Sequence, residues 1–261
     1  MRYLLISLLL AHSVAAVAAE IPAAIEACMK ENLPKTTSVQ SIELRAVDRS
    51  HYESVLQADV YLKRTDEDNS RVMMYFREPV DIRGARFLIV QKQPQNDMYI
   101  YMPGLFKVRR ITSKKISSSI MGTDFSYEDF ERLHGVITDL RAEQKPDSTL
   151  DGRPVHVLES FPDAESGYTR ITSYIDTESC IAVRTDFHEG KDVLRKQMTV
   201  APDKLRNQGD IWYPSELFMK DFRDKTETRL TITNLKLGAD LPDDLFDETR
   251  LKQAEIPPAS E

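Results

Sequence analysis

Apolar positions along the chain recur with two periods. Over residues 20–33, Ile21, Ile25, Met29 and Leu33 return every four positions as one stripe of a short helix, with Pro22 in its first turn and Pro34 ending it. Beyond Pro34 the period falls to two. Residues 55–63 alternate apolar with polar, and strands over 71–76 and 85–91 follow, separated by Glu78-Pro79 and Gly84. Residues 98–102 are apolar on both sides, Met98, Ile100 and Met102 on one and Tyr99 and Tyr101 on the other, so both faces of this strand must meet something apolar. Residues 103–126 break the strand pattern, and 127–133 read as a brief helix. Asp151-Gly152 marks a tight hairpin leading into 155–161. Further strands are predicted over 168–176, 181–188, 193–200, 211–219 and 228–237, then a short helix over 241–251 and a loose tail over 253–261.

This amounts to about 10–11 short strands with two or three short helices. So many successive antiparallel strands must close, pair into a sandwich or cover their edges. The expected fold is mainly β, an open and strongly curved antiparallel barrel with short helices covering the opening. Such an interior is either filled with side chains or holds one apolar ligand.

Residues 1–19 stand outside this pattern. Arg2, an apolar run over 4–10 and small residues up to Val17-Ala18-Ala19 have the form of a secretory signal peptide cleaved before Glu20. The run is too short for a permanent anchor, and no Cys stands at the expected cleavage point to take a lipid. The expected location is therefore a periplasm. In an oxidising compartment Cys28 and Cys180 are candidates for a disulfide, with free buried thiols as the alternative.

Composition narrows the function classes. Of 261 residues 41% are hydrophobic and 30% charged, which describes an ordinary globular chain, and a net charge of −7 argues against nucleic acid as a partner. His51, His134, His156 and His188 lack ligand spacing, and neither a nucleophile elbow nor a glycine-rich phosphate loop appears, so no metal, cofactor or catalytic residue is assigned.

Two features are less ordinary. Residues 98–123 contain no acid but carry Lys107, Arg109, Arg110, Lys114 and Lys115, a basic stretch suited to an anionic membrane or an acidic partner. The early strands also concentrate large adaptable side chains. Met74, Phe76, Phe87, Ile89, Met98, Tyr99, Ile100, Tyr101 and Met102, with Trp212 further on, are candidates to line an acyl-chain cavity, and Ile21, Ile25, Met29 and Leu33 to form its lid. A packed core is the alternative for each.

The run from Phe76 through Arg77-Glu78-Pro79 to Gly84 resembles the sheet-edge motif of the LolA-like outer-membrane lipoprotein-sorting proteins. Met98-Tyr99-Ile100-Tyr101-Met102-Pro103-Gly104-Leu105, then Lys107-Val108-Arg109-Arg110-Ile111 and the block Ser118 to Asp129, extend the resemblance. It is to the broader group rather than the classical carrier, whose strand motif begins Arg-Pro where this chain has Arg77-Glu78-Pro79. The resemblance implies one lipid-binding domain over residues 20–252, an open barrel around helices, and a non-catalytic periplasmic carrier of lipid or lipoprotein acyl chains. It further implies an inner-membrane exporter of RND or ABC type and an outer-membrane acceptor as partners. Arg77 is the position to compare with the lid-locking arginine of the carrier. The alternative is a filled barrel that serves as an accessory interaction module of an RND-type exporter and carries no lipid.

Overall fold

The computed structural model describes residues 22–66, 69–92, 95–135 and 141–259. The expected signal peptide over 1–19 and lid candidate Ile21 lie outside the described residues. Helix α1 (Ala23–Glu31) follows Pro22, with Glu26 in its first turn and Lys30 in its last, an i,i+4 pair at 3.0 Å that also complements the helix dipole.

The chain then runs outward through β1 (Thr37–Val47), β2 (Glu53–Arg64), β3 (Ser70–Glu78), β4 (Arg86–Val90), β5 (Asp97–Met102) and β6 (Lys107–Arg110). Helix α2 (Tyr127–Leu133) carries it to the far edge. There β7 (Ala142–Leu150), β8 (Arg153–Ser160), β9 (Arg170–Asp176), β10 (Ala182–Glu189) and β11 (Val193–Thr199) return towards the centre. A separate hairpin, β12 (Leu205–Gln208) and β13 (Ile211–Pro214), precedes β14 (Glu216–Asp221) and β15 (Thr226–Leu237), which pairs with β1. The result is one antiparallel sheet ordered β6-β5-β4-β3-β2-β1-β15-β14-β11-β10-β9-β8-β7, open between its edges β6 and β7. Its inner face bends round far enough that Phe87 and Met98 of one half share a core cluster with Phe187 and Met198 of the other.

This sheet has thirteen strands among the described residues, more than the 10–11 expected. The extra elements carry weak alternation. Edge strand β6 is Lys-Val-Arg-Arg, and edge strand β7 has one side chain buried along its length. Charge on β6, and Pro146 with a register shift in β7, suit strands that must not pair with another chain. The strand expected over 211–219 is two, because the chain changes partner at Ser215, whose N–H donates to the Lys204 carbonyl at 2.8 Å while its carbonyl accepts from the Ile232 N–H at 2.9 Å. Asp151 and Gly152, at φ 50° and 80°, form the hairpin turn their sequence predicts.

The two-sided apolar character of the early strands is met by two coverings. On the outer face, Val39, Tyr61, Met73, Leu88 and Tyr101 pack beneath Leu241, Leu245, Phe246 and Leu251 of the C-terminal segment. That segment forms a 3-10 turn (Asp243–Phe246) rather than the expected helix. Residues 253–259, expected to be loose, are held down: Tyr61 Oη donates to the Pro257 carbonyl at 2.6 Å, and Asn234 Nδ2 to that of Ala259 at 3.1 Å. Backbone carbonyls need donors wherever chain crosses a protein surface, and polar tips on the outer face supply them. No described helix is long and apolar enough to cross a membrane.

Candidate functional site

The inner face of the early half-sheet is a continuous apolar surface. Cross-strand register places Val60 beside Met74, Met74 beside Phe87, Val72 beside Ile89, and Ile89 beside Met98. Segment 111–134, with α2 at its C-terminal end, lies in this concavity. Phe87 meets Tyr127 and Phe130 at centroid separations of 4.9 and 5.7 Å, and Ile120 and Phe125 join the same cluster.

The opposite side of α2 is polar and faces the other half-sheet. Ser126 and Asp129 form a reciprocal capping box, with Asp129 N–H to Ser126 Oγ at 3.1 Å and Ser126 N–H to Asp129 Oδ2 at 2.8 Å. Asp129, 1% exposed, also accepts from Tyr168 Oη at 2.7 Å and Lys196 Nζ at 2.8 Å. Lys196 Nζ donates to the Asp124 carbonyl at 2.7 Å, and the Asp124 carboxylate accepts from Thr226 and Thr228 of β15. Glu128 accepts from the Gly167 N–H at 3.0 Å and pairs with Arg132. The segment is thus an amphipathic plug, greasy towards β2–β5 and latched by buried charge towards β11 and β15.

The predicted cavity residues divide between faces. Met74, Phe76, Phe87, Ile89 and Met98 are fully buried on the inner face beneath the plug. Met102 packs half-buried against the same cluster, Ile100 lies opposite Phe87, and Trp212 reaches the cluster from β13. Tyr99 and Tyr101 lie on the outer face beneath the C-terminal segment. The split follows from the two-residue period of β5, which sends neighbours to opposite sides. A cleft of about 160 Å³ lies between Gln95, Met98, Arg110 and Ile116 at the sheet edge. It falls below the roughly 300 Å³ of ordinary small-ligand sites.

The described lid candidates lie outside the inner-face cluster. Ile25 packs on Leu158 and Ile175, with Met29 beside them. Leu33 abuts Gly135 just beyond α2, so tightly that a Cβ on Gly135 would lie 2.7 Å from its methyl groups. Cys28 and Cys180 are disulfide-bonded with Cα atoms 5.7 Å apart, and Asn32 bridges the Ser179 carbonyl and the Trp212 N–H. Helix α1 is therefore fastened to the β9–β10 turn.

The basic residues are spread along edge strand β6 and the turn after it. Arg110 pairs with Asp97, and Arg77 with Asp59 on the outer face at 3.1 Å. Lys107, Arg109, Lys114 and Lys115 are exposed and make no ion pair among the described residues. Burial raises the Asp59 carboxyl above its usual range, opposed by its bonds to Ser41 and Arg77. Burial also pushes His134 down to about 4, although its Nδ1 lies 2.9 Å from the Phe130 carbonyl. No group of three or more metal-ligating side chains occurs among the described residues. Sequence reasoning missed the Asp124–Asp129–Tyr168–Lys196 network, because its members are scattered and each alone reads as a surface group.

A family model described as "Uncharacterized protein" matches residues 68–253. No curated protein matches in sequence. Among solved structures, a "putative outer membrane lipoprotein-sorting protein domain" from Vibrio parahaemolyticus is 24% identical at a TM-score of 0.81, covering 88% of this chain and 97% of its own. A DUF1329 family protein from Desulfovibrio piger is 21% identical at 0.79, covering 87% and 95%. A LolA superfamily protein from Nitrosomonas europaea is 18% identical at 0.67, covering 85% and 97%. At these identities the likeness is one of fold: the curved open sheet around a helical plug is the LolA-like architecture. The chain belongs to the family whose model spans residues 68–253, and its fold is that of the LolA-like group.

Proposed function

We propose that the protein is a non-catalytic periplasmic carrier that shields acyl chains of lipids or lipoproteins on the inner face of its sheet. The observation that carries this reading is the construction of the plug. An apolar surface running from Val60 to Met98 is covered by a short segment rather than by a second sheet. Moving that segment aside would expose a trough already lined with Met and Phe side chains. Each CH₂ of an acyl chain gains about 0.8 kcal/mol on leaving water, enough over a chain to compete with the plug. An inner-membrane exporter and an outer-membrane acceptor are the natural donor and recipient of such a cargo.

A second reading, a filled barrel serving as an exporter's interaction module, is favoured by the complete burial of Met74, Phe76 and Phe87 beneath α2. Native mass spectrometry of the protein from its own envelope, followed by lipid extraction, separates the two. Bound lipid or acylated peptide, displaced stoichiometrically by a fluorescent fatty-acyl probe, is expected for a carrier. An empty protein that also refuses the probe refutes it.

A further inference from the structure

In an antiparallel sheet successive turns alternate between the two ends of the strands. The turns after β1 (48–52), β3 (79–85), β5 (103–106), β8 (161–169), β10 (190–192) and β14 (222–225) all fall at one end. Register supports the assignment, since Val47 lies beside Glu227, and Asp221 beside both Thr226 and Lys196. The turns after β2, β4, β7 and β9 fall at the other end, where the disulfide is.

Among the described residues, the large apolar side chains more than a third exposed are Tyr52, Val80, Leu105, Phe106, Val193 and Phe222. All six sit on, or immediately beside, the turns of the first end. Single exposed apolar residues need no explanation, but their segregation to one rim does. Phe106 is the clearest case. It is 71% exposed and held at φ 50°, a left-handed conformation suited to Gly or Asn. Backbone strain and an unburied ring are both retained, with the Lys252 ammonium 5.5 Å from the ring centre.

The same turns hold Arg49, Lys107, Lys191 and Lys225, all exposed and without an ion pair among the described residues. Most of the rim's acids are already engaged. Asp48 accepts from the Ser50 and Tyr52 N–H groups, Asp163 from the Glu165 N–H, and Glu165 from Gln95 Nε2, while Asp192 pairs with Arg170 and Asp224 with Arg195, which leaves Asp81. In a chain of net charge −7, the rim thus offers free cations interleaved with apolar side chains.

We infer that this rim docks on a bilayer surface containing anionic phospholipid. The apolar groups are divided among five separate turns, with Leu105 and Phe106 sharing one. A fluid interface accepts such groups one at a time, whereas a protein partner requires a contiguous complementary patch. Phosphate headgroups complement the free cations and accommodate the aromatic rings at the same depth. The inference goes beyond the carrier reading. It concerns where the molecule meets a membrane and holds whether or not the inner face accepts an acyl chain.

Flotation of the chain from Glu20, which holds every described residue, with large unilamellar vesicles tests it without any cargo. Binding is expected on phosphatidylethanolamine–phosphatidylglycerol vesicles at low salt, with little on phosphatidylcholine. Leu105→Gln with Phe106→Asn should lower the partition coefficient roughly tenfold, the Asn suiting the left-handed backbone. Lys107→Glu with Lys225→Glu should lower it by about fivefold per charge and flatten the salt dependence. Lys35→Glu, exposed at the opposite end, should change nothing. Unchanged thermal midpoints establish that the variants are folded. Rim variants that bind like the parent overturn the inference. So does a failure to float with anionic vesicles at any salt, which would turn attention to a protein partner.

Discussion

Replacing Lys196 with Met should release the plug. Lys196 is 7% exposed, and its ammonium sits 2.8 Å from the carboxylate of Asp129, itself 1% exposed, with a second bond to the Asp124 carbonyl. Removing it leaves Asp129 charged and buried, held by Tyr168 and the Ser126 N–H alone. Breaking one side of such a pair costs about 3–5 kcal/mol, and the two surviving hydrogen bonds favour the lower figure. A loss of about 3 kcal/mol at a urea slope of about 2 kcal/mol/M moves the denaturation midpoint by about 1.5 M. Asp129→Asn added to Lys196→Met should recover part of the loss, since a neutral amide can still accept from Ser126. If α2 also gates the inner face, Lys196→Met should take up a fluorescent fatty-acyl probe faster than the parent protein. A midpoint within 0.3 M of the parent, roughly the reach of an exposed ion pair, together with unchanged uptake, would refute the reasoning.

Three further outcomes are expected. With His134 pushed down to about 4 in the fold from 6.5, its neutral form is the stabilising one. That contribution is complete above about pH 6.5 and declines as pH falls towards 4, by on the order of 1–3 kcal/mol. Thermal midpoints at pH 7.5 and 5.0 should differ less in His134→Phe than in the parent. Reducing the Cys28–Cys180 bridge, which spans 152 residues, should cost up to about 5 kcal/mol on the chain-entropy account, read as a urea midpoint with and without dithiothreitol. Phe246→Ala should cost about 3–5 kcal/mol by emptying the contact over Met73 and Leu88, and an equilibrium urea curve checks it.

Much of the architecture was legible in the alternation of residues. The period-two strands β2 to β5, β8 to β11 and β15, the two-sided apolar character of β5, the Asp151-Gly152 turn and the brief helix α2 are all local, set by neighbours one to four positions apart. Central strand β1 escaped notice although it joins the halves of the sheet. Its burial alternation is interrupted where pairing with β15 shifts at Ser41, so its pattern depends on a partner about 190 residues away.

What the chain alone could not decide is which apolar face meets which cover. Residues such as Met74 and Tyr99 look alike in sequence, and register sends one beneath α2 and the other beneath the C-terminal segment. Nor could it show that Asp124, Asp129, Tyr168 and Lys196 converge, because a charged residue is buried only when distant strands supply its counterion. The exposed rim has the same origin. Tyr52, Phe106 and Phe222 are isolated on separate turns along the chain, and the antiparallel strand order gathers them at one end. Local sequence sets each element through short-range sterics and periodicity, whereas long-range pairing decides the company each element keeps.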